Sequence, residues 1–185
     1  MARRRLRLHQ VWLLVSPGNP LKPAQGMAAL EERLRSAAGI ADGRRVVATG
    51  IEARLRTRYT YDTVRALRRR FPGVRFVWLM GADNLVQLPH WQHWTGIARQ
   101  MPFAVMPRPT YSQRALAGQA ARRLRGSLHP AHAAPALAGM PAPAWTFLPA
   151  RQNWLSATAL RAVRRRPPEP IPMPMQDAAL EGATS

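Results

Sequence analysis

Val74-Arg-Phe-Val-Trp-Leu-Met80-Gly-Ala-Asp-Asn84 is the stretch on which the fold turns. All of its first seven residues except Arg75 are apolar, and Pro72-Gly73 closes off whatever helix precedes it. A short, nearly continuous apolar run of this kind predicts a strand covered on both faces, as in a parallel sheet. Gly81 would let a ligand approach the backbone closely. Asp83 places a carboxylate just past the end of the strand, where the plainest role is a cap or a first-turn helix residue.

On either side, apolar runs alternate with helical patterns. Upstream, Val11–Val15 reads as a first strand entering a Pro-rich loop over 16–25, and Arg45–Thr49 as a second strand. Between them, Ala28–Ala38 carries Leu30, Leu34 and Ala38 on one helical stripe. Tyr59–Phe71 reads as a helix with Val64, Leu67 and Phe71 on one side. Downstream, Ala82–Met101 is helical with an interruption at Pro89, Phe103–Met106 is a strand, and 112–125 is a basic helix. Residues 126–143, rich in Ala, Pro and Gly, read as a loop before a strand around Trp145 and a basic helix opened by Ser156. The main domain spans 1–166, and the Pro-rich tail 167–185 reads as disordered. This alternation predicts an α/β, Rossmann-like, doubly wound parallel sheet. Ligands of such sheets bind beyond the carboxyl ends of the strands, after Val15, Met80 and Leu148 here.

The chain has 185 residues and no cysteine, which rules out disulfides and thiolate metal sites and suits a reducing cytoplasm. Its formal charge of +19 comes from 27 arginines and one lysine against 9 acidic residues. With abundant Ala and Pro, that bias reflects composition more than a nucleic-acid footprint, though it would still attract phosphorylated substrates. The N-terminal arginines and Val11–Val15 imitate a signal peptide, but the apolar run is five residues long and meets Pro17 with no small-residue cleavage site. No apolar run approaches the length of a membrane span.

Four segments carry candidate chemistry. Ser156-Ala-Thr158-Ala-Leu-Arg161 has a cap hydroxyl at the start of a helix, and Thr158 and Arg161 three apart on one face, an arrangement suited to phosphate. Ser16-Pro-Gly-Asn19-Pro-Leu-Lys22-Pro23 is a rigid turn offering an amide and the sole lysine. Arg58-Tyr-Thr60-Tyr-Asp-Thr63 opens a helix, where its hydroxyls would by default cap. In His90-Trp91-Gln-His93-Trp94, two tryptophans three apart suit a core, with one able to stack on a planar ring. The two histidines have a metal-ligand spacing but no third ligand nearby, and no metal is assigned to them.

In this order, the segments Trp12–Lys22, Ile51-Glu-Ala-Arg54, Arg58–Thr63, Phe76–Asn84, Trp91-Gln-His-Trp94, Arg108-Pro109 and Ser156–Arg161 resemble bacterial nicotinate-nucleotide adenylyltransferases. These are members of the HIGH-type nucleotidyltransferase superfamily, and the resemblance covers roughly residues 8–165. Ser-x-Thr-x-x-Arg belongs to the superfamily at large, whereas the Tyr-Thr loop and the tryptophan segment point to the nicotinate enzymes. The resemblance implies transfer of AMP from ATP to nicotinate mononucleotide, with Mg²⁺ accompanying ATP. It implies that Ser156, Thr158 and Arg161 hold the ATP phosphates, Arg161 acting in catalysis. Thr60 would bond the nicotinate carboxylate and Trp91 would stack on the pyridine. Gly81 and Asp83 would line the nucleotide cleft, and Asn19 and Lys22 would face the mononucleotide.

The family's opening strand and its Gly-x-Phe-x-Pro-x-His-x-Gly-His loop have no counterpart in the sequence, and His90-Trp-Gln-His93 is no substitute because it lacks the glycine. The expectation is therefore a sheet lacking its first strand and loop, a segment of about 30 residues before Met1, and weak activity or solubility for the polypeptide as written. Two other functions are weighed. Another adenylyl- or cytidylyltransferase, for instance one acting on phosphopantetheine, is disfavoured by Thr60 and Trp91. A nucleic-acid-binding module is disfavoured because the arginines are spread over every helix.

Overall fold

In the computed structural model, which describes residues 1–18 and 28–149, six short strands form two sheets. β1 (Val11–Leu14) pairs with β2 (Val46–Thr49), Val11 lying opposite Val46 and Leu14 opposite Thr49. The larger sheet contains β3 (Trp78–Gly81), β4 (Phe103–Met106), β5 (Leu128–His129) and β6 (Trp145–Phe147), in the order β3-β4-β6-β5. Every pair is parallel, as the apolar runs predict.

Parallel neighbours need crossovers, and helices supply them. After the short α1 (Ala2–Arg5), α2 (Leu30–Ala38) links β1 to β2. α3 (Ile51–Leu55) and α4 (Thr60–Arg70) precede β3, and α5 (Ala82–Gln87) and α6 (Trp94–Gln100) lie between β3 and β4. α7 (Ser112–Leu116) and α8 (Gln119–Arg123) follow β4.

The period of two along the strands distributes side chains to two cores, one on each face of the larger sheet. Phe103, Val105 and Trp145 join Val64, Leu85 and Ile97 on the helical side. Ala104, Ala144 and Leu148 join Leu6, Ala134 and Leu137 on the other. Trp145 stacks on Phe103 with ring centres 5.5 Å apart, and its indole N–H donates to the Leu124 carbonyl at 2.9 Å. Buried Thr146 donates to the His129 carbonyl at 3.0 Å, so neither polar atom is left without a partner.

Several boundaries differ from the sequence reading. The Val74–Met80 run becomes a strand only from Trp78, because its partner β4 begins opposite that residue at Phe103. Residues Val74–Val77 instead line a cavity. The 112–125 helix is two helices parted at Gly118, whose backbone is extended at ψ 169°. The supposed loop 126–143 contains β5 and a 3₁₀ segment, Ala131–Gly139, that buries Ala134 and Leu137. Within 82–101, a 3₁₀ turn at Leu88–His90 and a left-handed His93 (φ 51°) separate α5 from α6. The short helix α3 has no clear signal in the sequence. No helix among the described residues is long and apolar enough to cross a membrane.

Candidate functional site

The two sheets face a common cavity of about 1510 Å³. Val11–Leu14 of β1 line one side, and Phe76–Leu79, at and before the start of β3, line the other. Among the described residues neither β1 nor β3 has a second strand partner on this side. Thr60 and Trp91, which are far apart in sequence, both reach this cavity, together with Arg58, Asn84, His90 and Gln92. An apolar wall with a few convergent polar groups is the usual character of a small-molecule site.

Thr60 is the first residue of α4, after Tyr59 in extended conformation. Among the described residues its hydroxyl has no hydrogen-bond partner, and the Thr63 hydroxyl lies 3.2 Å from the Tyr59 carbonyl without capping the helix. The default capping role therefore falls away, and the Thr60 hydroxyl can donate to a ligand. Trp91 follows the 3₁₀ turn containing Pro89, with its backbone N–H on the Leu88 carbonyl at 2.9 Å. Its ring is half-buried against the helical-side core and forms part of the cavity wall, whereas Trp94 packs against that core without lining the cavity. His93 turns to Tyr61, with ring centres 5.1 Å apart. Among the described residues no three His, Cys, Asp or Glu side chains group as a metal site would require.

Gly81 and Asp83 stand together elsewhere, where β3 runs into α5. Asp83 lies in the first turn of α5, and its Oδ1 is 3.6 Å from Nε of Arg108. A Cβ on Gly81 would overlap Asp83 Oδ1 and come within 3.0 Å of Arg108 Nε. A side chain at 81 would therefore displace the Asp83 carboxylate and the Arg108 side chain that close over Gly81, whose φ of −80° is ordinary. Arg108 is exposed and Asp83 only partly so, and among the described residues the buried Asp83 Oδ1 has no hydrogen-bond partner.

Asn19, Lys22, Ser156, Thr158 and Arg161 lie outside the described residues. Glu52 was not singled out in the sequence, although it is buried at the cavity wall. One available signal was its position: a lone carboxylate in the arginine-rich stretch before the Tyr-Thr loop. Among the described residues, the indole N–H of Trp78, also at the cavity, is buried without a hydrogen-bond partner.

The sequence signature described as cytidylyltransferase-like matches residues 1–163. The chain is 59% identical over 160 residues to the probable nicotinate-nucleotide adenylyltransferase of Gluconobacter oxydans, a match covering 86% of this chain and 82% of that protein. It is 58% identical over 161 residues to the protein of the same description from Gluconacetobacter diazotrophicus, covering 87% and 75%. A more distant likeness is the Plasmodium falciparum nicotinic acid mononucleotide adenylyltransferase complexed with APC. There the TM-score is 0.48 at 10% identity, over 82% of this chain and 63% of that one. On the extent and identity of the sequence matches, the chain belongs to the nicotinate-nucleotide adenylyltransferase family of cytidylyltransferase-like proteins.

Proposed function

We propose that the chain transfers the adenylyl group of ATP to nicotinate mononucleotide, giving deamido-NAD and pyrophosphate, in the cytoplasm. The observation that supports the assignment to this cavity is that both Thr60, at the start of α4, and Trp91, after the 3₁₀ turn at 88–90, line it. A nicotinate ring stacks on the Trp91 indole while its carboxylate accepts from the Thr60 hydroxyl. Arg58 at the same wall suits the anionic ligand. Asn19 and Lys22 face the mononucleotide, and Gly81 and Asp83 line the nucleotide cleft. Ser156, Thr158 and Arg161 hold the ATP phosphates, with Arg161 neutralising charge as it builds on the transferring phosphoryl group.

A phosphate oxygen of nicotinate mononucleotide attacks the α-phosphorus of ATP. The bond from that phosphorus to the bridging oxygen breaks, and pyrophosphate leaves. Both partners are highly charged, so positioning and charge neutralisation supply most of the rate. Mg²⁺ enters as part of the MgATP substrate, held by phosphate oxygens.

An acceptor comparison tests the assignment. With MgATP present, nicotinate mononucleotide should elicit pyrophosphate release, while phosphopantetheine should not. Release with phosphopantetheine and none with the mononucleotide would place the chain with the other acceptor.

A further inference from the structure

Glu52 is the one charged side chain buried among the described residues, at 8% exposure. Burying a carboxylate is costly unless it is well bonded. Among the described residues its side-chain bonding is to a hydroxyl: Thr63 Oγ1 lies 3.0 Å from Glu52 Oε1. Thr63, wholly buried, also lies 2.8 Å from the Thr57 hydroxyl and 3.2 Å from the Tyr59 carbonyl. Thr63 has a single hydroxyl proton, and the anionic carboxylate is the strongest acceptor within reach. The proton order is then fixed: Thr57 donates to Thr63, and Thr63 donates to Glu52.

The same residues clamp the backbone. The Thr57 N–H donates to the Glu52 carbonyl at 3.1 Å, and the Thr63 N–H to the Tyr59 carbonyl at 3.0 Å. Between these bonds runs the turn joining α3 to α4, with Arg56 in the left-handed region at φ 52°. That turn delivers Arg58, Tyr59 and Thr60 to the cavity.

We propose that Glu52 is a positioning residue: through the Thr63 hydroxyl its carboxylate fixes the α3–α4 turn so that Thr60 meets the nicotinate carboxylate. The proposal rests on the reading of Thr60 given above. A carboxylate near the site of an anionic ligand would otherwise repel it. Engaged by the buried Thr63 hydroxyl, the carboxylate serves instead as a structural anchor for the specificity residue.

The test is equilibrium binding of nicotinate mononucleotide and of its nicotinamide analogue, read by tryptophan fluorescence, with ATP binding and thermal melting measured alongside. The variants are Thr60→Val, Thr63→Val, Glu52→Gln and Glu52→Ala. Thr63→Val keeps the buried shape, and Glu52→Gln keeps an acceptor oxygen, so neither depends on tolerance of a cavity. Thr60→Val and Thr63→Val should each weaken nicotinate mononucleotide binding about tenfold, the loss expected for one charge-assisted hydrogen bond. Both should reduce the preference over the nicotinamide analogue and leave ATP affinity unchanged. Glu52→Ala should behave as Thr63→Val does, and Glu52→Gln should recover most of the affinity. If Thr60→Val weakens binding while folded Thr63→Val and Glu52→Gln, melting lower, bind and discriminate as the wild type does, and Glu52→Ala does too, the network is merely structural and the proposal is overturned. If Thr60→Val itself changes nothing, the reading of Thr60 fails, and the proposal fails with it.

Discussion

Trp91 and Trp94 are three residues apart and chemically identical, yet the fold gives them different surroundings. Trp91 forms cavity wall, while Trp94 heads α6 and packs on the helical-side core. Nicotinate mononucleotide should therefore change the intrinsic fluorescence, and Trp91→Ala should remove most of that change. Trp94→Ala should keep the signal and lower stability by about 2–3 kcal/mol in chemical denaturation, somewhat less than for a wholly buried tryptophan. The opposite pattern would exchange their roles. Thr60 and Trp91 were named on the resemblance that their short segments carry, and both lie at the cavity. Glu52 was not, since its significance comes from burial against Thr63, eleven positions along the chain and on another helix. The Asp83–Arg108 pair likewise joins the first turn of α5 to the loop after β4, which only the β3–β4 pairing brings together.

At the scale of elements, helices α4 and α6 meet where a glycine leaves room for a ring. A Cβ on Gly96 would lie 2.6 Å from Cε2 of Tyr61, the residue next to Thr60. Gly96→Ala should push that ring aside and destabilise the protein by about 1–3 kcal/mol, as overpacking does. A urea midpoint equal to that of the wild type would show that the seam has slack. Strand β2 is launched by a second device. Asp42 Oδ1 accepts the N–H groups of Val46, Arg45 and Arg44 at 2.7, 2.6 and 3.0 Å. These amides, Val46 foremost, hold the Asp42 carboxyl below the usual carboxylate range, against a lesser opposing effect of desolvation. A carboxyl with a depressed folded pKa stabilises fully above its unfolded value, near 3.8, and loses that contribution as pH falls through the folded value. The stability gap between wild type and Asp42→Asn should accordingly be open at neutral pH and close below about pH 4. A gap independent of pH would mean that the amide replaces the carboxylate in full. Strands were legible where both neighbours in the chain were strong breakers, as at Phe103–Met106, whose bounds agree residue for residue. They were misjudged where the limit is set by a partner: Val74–Val77 has the composition of a strand but runs on past the start of β4. The Ala- and Pro-rich 131–139 segment buries two residues in a 3₁₀ turn, a geometry with little periodicity to read.

Over the whole molecule, alternating apolar runs and helical patterns were enough to announce a parallel α/β sheet, because parallel strands oblige crossovers and cover on both faces. What composition could not convey is that the strands divide into a pair and a group of four with a cavity of about 1510 Å³ lined by both. Nor could the +19 charge alone distinguish an acidic polymer from a small phosphorylated substrate. That distinction comes from the family to which the chain belongs. The most direct measurement follows the phosphorus itself. The protein is supplied with nicotinate mononucleotide and MgATP labelled at the α-phosphorus, and the products are separated. The label should appear in deamido-NAD, in amounts that depend on both the mononucleotide and the protein, with unlabelled pyrophosphate formed in equal quantity; even slow transfer above the protein-free control meets this expectation. Label that remains in ATP at every mononucleotide concentration, or that passes to AMP without forming the dinucleotide, would contradict the assignment.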